Sequence, residues 1–308
     1  MRRVIGIGET ILDILFRDNQ PQAAVPGGSV YNAAISLGRM GANVMFISET
    51  GNDRVGEMIL QNMRDNGVST EHVNVFPEGK SPVSLAFLNE RNDAEYIFYK
   101  DYPRQRLEVK MPEITADDII MIGSYFAITP VLRDKVVELL EKAHKAGAII
   151  YYDVNFRSTH RNEAIKLMPT ILENFEYADI LRGSTEDFQN MFGLAEADAV
   201  YRKHVAFYCQ NFICTDADKD ICLRTRQVTK NYPVEPLQAV STIGAGDNFN
   251  AGVVFGLLKN RIRRNDLEEL TEADWDAIIQ CGKDFSADVC KSVNNSVSKA
   301  FAEAYKNK

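Results

Sequence analysis

No apolar run in this 308-residue chain approaches the roughly 18 residues that a helical membrane span needs. Basic residues are outnumbered, 35 Lys and Arg against 43 Asp and Glu, for a formal net charge of −8. With no basic run either, nucleic acid and anionic membranes are excluded as expected partners. The five cysteines form no C-x-x-C pair and the four histidines stand singly, which argues against a structural metal centre. An odd number of thiols without a secretory signal predicts a reducing, cytoplasmic setting. Met1-Arg2-Arg3 does begin with charge, but Val4 to Ile7 is too short and glycine-broken for a signal-peptide core. There is no internal repeat, low-complexity tract or linker. What is present, 45% apolar and 25% charged residues, is the composition of a soluble globular protein with a large core.

Short apolar strands alternate with helical stretches. Val4–Ile7, Val44–Ile47, Ile119–Ile122, Ile149–Tyr152 and Phe212–Cys214 read as buried strands. Between them, helices are predicted over Val30–Arg39, Val55–Asn66 and Pro130–Ala146, each closed by a glycine at 41, 67 or 147. This alternation predicts a three-layer α/β/α fold with a mostly parallel sheet, one domain spanning 1–308. Two segments break the pattern. Ile11–Arg17 is strand-like, and Val83–Glu90 with Glu95–Lys100 reads as a hairpin about the polar turn 91–94. They predict a small β-sheet standing off the main domain, built from inserts at about 11–25 and 83–101; an antiparallel edge of the main sheet is the alternative.

The densest chemistry lies in Thr242-Ile243-Gly244-Ala245-Gly246-Asp247, which opens a small-residue helix predicted over roughly 247–259. Gly244 and Gly246 permit close backbone approach to a ligand. The helix start presents free N–H groups and a positive dipole end, which suit phosphate. A carboxylate at Asp247 opposes anion binding unless it accepts a proton, so a phosphate cradle beside a base fits phosphorylation of a hydroxyl. The plainer alternative is a turn with Asp247 as helix N-cap. Pro26-Gly27-Gly28-Ser29-Val30-Tyr31-Asn32 precedes another small-residue helix, where Asn32 offers both donor and acceptor to a hydroxyl. Asp13 follows the first strand, where its carboxylate could accept from a sugar diol. Asp153-Val154-Asn155-Phe156-Arg157 lies at the carboxyl end of a strand, where open α/β sheets bind ligands. Gly6-Ile7-Gly8-Glu9-Thr10-Ile11 lacks the third glycine of a dinucleotide fingerprint, and Gly51–Gly56 lacks the Lys-Ser/Thr of a Walker loop.

Two of these signatures occur together, in order and spacing, in one family. The first is Gly27-Gly28-Ser29-Val30-Tyr31-Asn32-Ala33-Ala34, continuing through Leu37-Gly38 and Gly41 to Gly51-Asn52-Asp53; the second is Thr242–Asp247 with its helix. On them the chain resembles the ribokinase-like (PfkB-type) carbohydrate kinases over essentially its whole length. Gly8-Glu9 with Asp13, and Asp153-x-Asn155-x-Arg157, look most like the fructokinase and 2-keto-3-deoxygluconate kinase branches, bacterial fructokinases above all. The resemblance implies a β-lid over the sugar, Asp247 as catalytic base, and an anion hole at Gly244, Ala245 and Gly246. It places Asp13, Gly27, Gly28, Asn32, Asn155 and Arg157 around the sugar, the last two alternatively at phosphate. It implies ATP with Mg2+, a monovalent cation such as K+, and nucleotide contacts at Thr215 and Thr242.

Departures from that pattern are specific. Ser241 stands where the family carries an aspartate. The family's Asn-x-x-Glu has no clean counterpart, and Arg182-Gly183-Ser184-Thr185-Glu186-Asp187 occupies its place, so Glu186 or Asp187 is the expected Mg2+ partner. The nucleotide loop reads Thr215-Asp216-Ala217-Asp218-Lys219-Asp220, without glycine and with three acids, which places donor binding in question. Fructose is the expected acceptor. A keto acid would want a cation such as Lys100 or Arg104 near Arg157, a nucleoside would want stacking on Tyr96 or Phe98, and ribose is a further alternative. A sugar sensor on a kinase scaffold is the reading from another class. An exposed lid face predicts pairing into a homodimer.

Overall fold

The computed structural model describes residues 2–89, 94–217 and 219–306. Its strands are, in chain order, β1 (Arg3–Ile7), β2 (Ile11–Arg17), β3 (Gln20–Gly27), β4 (Asn43–Gly51), β5 (Val68–Ser69), β6 (Val73–Phe76), β7 (Lys80–Leu88) and β8 (Ala94–Asp101). There follow β9 (Ile119–Gly123), β10 (Ile149–Asp153), β11 (Ile180–Ser184), β12 (Asn211–Thr215), β13 (Asp220–Arg224) and β14 (Thr229–Pro233). The helices are α1 (Ser29–Arg39), α2 (Arg54–Asp65), α3 (Arg133–Ala146), α4 (Ala164–Tyr177), α5 (Thr185–Phe192), α6 (Ala197–Val200), α7 (Ala245–Lys259), α8 (Glu272–Val289) and α9 (Lys299–Lys306). Among the described residues none is long and apolar enough to cross a membrane.

The main sheet runs β14-β13-β12-β11-β10-β9-β1-β4-β5, with β6 beside β4. It is parallel except for the β12–β13 and β13–β14 pairs. The two-residue period of each strand divides its apolar side chains between two cores. Val4, Phe46, Met121, Tyr151 and Ile213 face one core with residues of α1, α7 and α8, and Ile5, Ile47, Ile122, Tyr152 and Phe212 face the other with residues of α3 and α4. Covering on both faces is why these strands read as continuous apolar runs rather than alternating ones. The chain leaves β1 toward β4 on one side and returns through β9 to β10 on the other. The carboxyl ends of β1 and β9 therefore flank a topological switch point, where a crevice opens.

A separate four-stranded sheet, β3-β2-β7-β8, stands apart from the main one, as the two inserts predicted. Register aligns Asp13 with Ser84 and Ser84 with Phe98, so these three side chains share one face. Of the turn expected at 91–94, residues 91–93 lie outside the described residues and Ala94 opens β8. This sheet is tied to the main domain by charge. Lys100 Nζ pairs with Glu9 at 2.7 Å, the Tyr102 hydroxyl donates to Glu9 at 2.6 Å, and Arg106, stacked on the Tyr102 ring, pairs with buried Glu49. Two helix boundaries differ from expectation. Pro130–Leu132 forms a short 3₁₀ turn before α3, and α7 begins two residues before Asp247.

Candidate active site

The start of α7 is set by Gly244, which caps the helix in the left-handed region at φ 78°, where a side chain would be strained. Asp247 is thus the third helical residue and not the cap. Its carboxylate accepts from Asn32 Nδ2 at 2.8 Å and is buried. Burial pushes it up to about 7, against the opposing pull of the Asn32 hydrogen bond and the charge of Arg157. The Ala245 N–H is turned back on the Thr242 carbonyl at 3.2 Å. Gly244, Gly246 and Asp247 present N–H groups that make no hydrogen bond among the described residues, so of the expected cradle only the Ala245 N–H is engaged. The Thr242 side chain is exposed.

Asp13 is held across the small sheet by the Ser84 hydroxyl on Oδ1 and by Asn295 Nδ2 at 3.5 Å on Oδ2. Burial raises it to about 6, with the charge of Glu9 adding to the rise and that of Arg157 opposing it. Gly28 caps α1 at φ 128°, and a Cβ there would collide with the Glu9 carbonyl oxygen; one at Gly27 would collide with the Asp13 carboxylate. The glycine pair is therefore what lets β3, Asp13 and the start of α1 converge. Tyr96 feels the charges of Asp13, Arg157 and Asp247 and is pushed up to about 12, chiefly by burial. Its ring stacks on Phe98 with centroids 5.7 Å apart. Asn155 is half-buried at φ 38° and Arg157 is exposed, both on the loop leaving β10.

Sequence reasoning passed over Arg182. It is buried at the end of β11, where Nη1 pairs with Asp153 at 3.0 Å and Nη2 donates to Thr215 Oγ1 at 2.6 Å. A Cβ on Gly246 would lie 3.1 Å from Nη2, so the guanidinium backs directly onto the α7 turn. Asp153 also accepts from Asn250 Nδ2 at 2.8 Å, and Asn250 in turn accepts from the Tyr151 hydroxyl at 2.8 Å. An arginine inside an otherwise apolar strand is a signal that was available. Asn295, 282 residues from Asp13, had none.

Asp187 lies beneath Arg182. Its Oδ2 accepts from the N–H and hydroxyl of Ser184 in a capping box that starts α5, and burial holds its carboxyl above the usual range. Glu186 is exposed beside it. Among the described residues no three His, Cys, Asp or Glu side chains gather into a metal nest. In the altered loop, Asp216 accepts from Thr185 at 2.9 Å and pairs with Lys219 at 3.1 Å, which offsets part of the acidic burden; Asp218 lies outside the described residues. Buried Ser241 accepts from the Ile243 N–H at 3.2 Å and holds the turn before Gly244.

Three comparisons bear on this arrangement. Fructokinase-1 of Oryza sativa subsp. japonica is 27% identical over 284 residues, covering 88% of this chain and 87% of the rice protein. The crystal structure of fructokinase from Vibrio cholerae O395, in fructose, ADP and calcium ion bound form, superposes with a TM-score of 0.84 over 99% of both chains at 19% identity. Aminoimidazole riboside kinase from Salmonella enterica, complexed with aminoimidazole riboside and an ATP analog, gives 0.80 over 99% of both chains at 21% identity. The sequence profile described as pfkB family carbohydrate kinase matches residues 2–298. With both signatures converging on one crevice, and that match over nearly the whole length, the chain belongs to the pfkB family of carbohydrate kinases.

Proposed function

We propose that this sugar kinase transfers the γ-phosphoryl group of ATP to a primary hydroxyl of a small neutral sugar, fructose first among candidates. The observation that carries the reading is Asp247. It is a buried carboxylate near pKa 7, one residue from unused helix N–H groups and within the same shell as the Arg182 guanidinium. Asp13 and Asn32 orient the sugar hydroxyls, and Asp247 accepts the proton of the attacking hydroxyl as it approaches phosphorus in line. The Gly246 and Asp247 N–H groups and Arg182 meet the charge on the transferring oxygens. The phosphate end thus fits residues that are present, and Mg2+ brought with ATP supplies neutralisation of phosphate oxygens. Of its two expected carboxylates, Glu186 is the one without a capping duty, and a monovalent cation such as K+ belongs to the same reading. The small sheet would act as a lid whose closure excludes water.

Lys100, one of the two cations expected for a keto-acid acceptor, is already paired with Glu9, which leaves that reading to Arg104. The stacked Tyr96 and Phe98 rings favour, as a second reading, an acceptor carrying a heterocyclic base. ADP release with fructose, ribose, adenosine and 2-keto-3-deoxygluconate separates these. Silence across the panel in a protein that still binds sugar would replace the kinase reading with a sensor.

The base must be ionised to accept a proton, so kcat/KM should rise with pH through an apparent pKa near 7, that of Asp247. Asp13, near 6, must also be ionised to accept from the sugar and should steepen the acid limb. A profile measured at saturating MgATP that stays flat from about pH 5.5 to 8 would remove Asp247 as the base. Ile97 and Tyr99 stand on the opposite face of β8, 44% and 58% exposed. That face is expected to pair with a second copy, and light scattering at micromolar concentration should return twice the monomer mass; a monomer mass would count against it.

A further inference from the structure

Two buried carboxylates line the crevice, and each faces the NH2 of an asparagine. Asn32 Nδ2 donates to Asp247, and Asn295 Nδ2 points at Asp13. In both asparagines the carbonyl oxygen is buried and has no hydrogen-bond partner among the described residues. Asn295 is 2% exposed, so its Oδ1 is an acceptor shut away from bulk water with its capacity unspent. The residue is firmly placed. Its backbone carbonyl accepts from Asn248 Nδ2 at 2.8 Å, and a Cβ on Gly244 would lie 3.1 Å from that same carbonyl. Two residues on, the Val297 N–H donates to Ser36 Oγ at 3.0 Å. The loop between α8 and α9 is thereby clamped between α1 and the α7 turn, with the Asn295 amide also 3.1 Å from where a Gly27 Cβ would be.

We propose that Asn295 is a specificity-determining residue for the acceptor: its Oδ1 receives a hydrogen bond from one hydroxyl of a neutral polyol seated on Asp13, while its Nδ2 holds the Asp13 carboxylate in position. This rests on the sugar-kinase reading and extends it. The chemistry follows from the donor and acceptor count. Asp13, Asn32 Oδ1 and Asn295 Oδ1 are all acceptors, so the ligand at this end must bring donors, which hydroxyls do. A carboxylate or phosphate brings none and meets the negative charge of Asp13. Asn295 therefore favours an uncharged polyhydroxy acceptor over a sugar acid or a sugar phosphate.

The test is calorimetric binding of fructose and its monodeoxy analogues, without nucleotide, to the full chain and to Asn295→Ala, alongside steady-state ADP release. Removing the acceptor is expected to weaken fructose about 5–100-fold, with kcat nearly unchanged. One monodeoxy analogue should lose as much affinity for the wild type and nothing further for the variant, a coupling that a merely structural role would not produce. Unchanged fructose affinity, or losses that add for every analogue, would overturn the assignment, as would wild-type binding of 2-keto-3-deoxygluconate in preference to fructose. If Asn295→Ala fails to melt cooperatively, Asn295→Leu, close in size and without an acceptor, supplies the same comparison. Fructose bound through Asn295 without ADP release would sink the kinase reading alone, whereas a wild type that binds no neutral sugar sinks both.

Discussion

Asp247→Asn is expected to lose about 10²–10⁴-fold in kcat, the range for a lost general base, and at the same time to make the protein more stable at pH 8. The activity loss follows from placement. Asp247 sits beside the helix N–H groups of its own turn and is aligned by Asn32. The stability gain follows from burial. The carboxyl has a pKa of about 7 in the fold against an ordinary 3.8, so the folded protein holds this proton more tightly than the unfolded chain does. Keeping the group ionised therefore costs stability progressively as pH rises from 3.8 to 7, and the whole cost, about 4 kcal/mol at most, is present above that. Asparagine carries no charge and can still accept from Asn32 Nδ2 through its own carbonyl. Thermal melts of both proteins at pH 8 and near pH 4, with ADP release at pH 8, give the comparison. The variant should melt several degrees higher at pH 8, and the gap should close at low pH. A variant that retains near-normal kcat, or melts lower at pH 8, contradicts the role given to Asp247. Such opposition is the expected mark of a residue kept for chemistry against the interest of folding.

The second large effect belongs to Arg182. Arg182→Met deletes one partner of a buried ion pair and leaves Asp153, 4% exposed, with Asn250 as its side-chain partner among the described residues. Stranding a buried charge costs about 3–5 kcal/mol. Combining Arg182→Met with Asp153→Asn removes both charges and should recover most of that loss, because the pair itself contributes little net stability once desolvation is counted. Activity should not return with stability. The guanidinium backs onto Gly246 at the proposed phosphate end, and removing one such preorganised cation is expected to cost about 10²–10³-fold in kcat/KM for ATP. Urea midpoints for the two single variants and the double variant, with the same kinetics on each, separate the two roles. If the double variant is as active as the wild type, Arg182 is structural only. If it stays as unstable as Arg182→Met, the stranded Asp153 charge is not the source of the loss.

Much of this architecture was legible in local sequence, and the reasons are particular. Val4–Ile7 and Ile149–Tyr152 are buried on both faces, so they appear as unbroken apolar runs that no other placement would tolerate. Gly41, Gly67 and Gly147 take positive φ directly after their helices, which is the conformation that selects glycine. The segment 11–17 read as a strand outside the main series, with an edge of the main sheet as the alternative, and the separate sheet β3-β2-β7-β8 decided between them. At the site, Gly27-Gly28 and Gly244-Ala245-Gly246-Asp247 were visible because backbone approach and a helix start impose residue types at fixed spacing.

Other roles depend on contacts that spacing along the chain does not decide. Glu186 or Asp187 was read as a metal partner, and the Ser184-x-x-Asp187 spacing, also that of a capping box, is the one the structure uses for Asp187. The Ala245 N–H looked available until the turn returned it to the Thr242 carbonyl. Arg182 comes against the α7 turn because β10, β11 and β12 lie side by side. Asn295 reaches Asp13 because two clamped residues, Asn248 and Ser36, hold its loop over the crevice. Local sequence thus determined the elements, the glycine turns and the identity of the two carboxylates, since each answers to a backbone constraint within a few residues. Which side chains surround those carboxylates, and so how strongly each holds its proton, was decided by the tertiary structure alone, because burial and charge act through space between residues far apart in the chain.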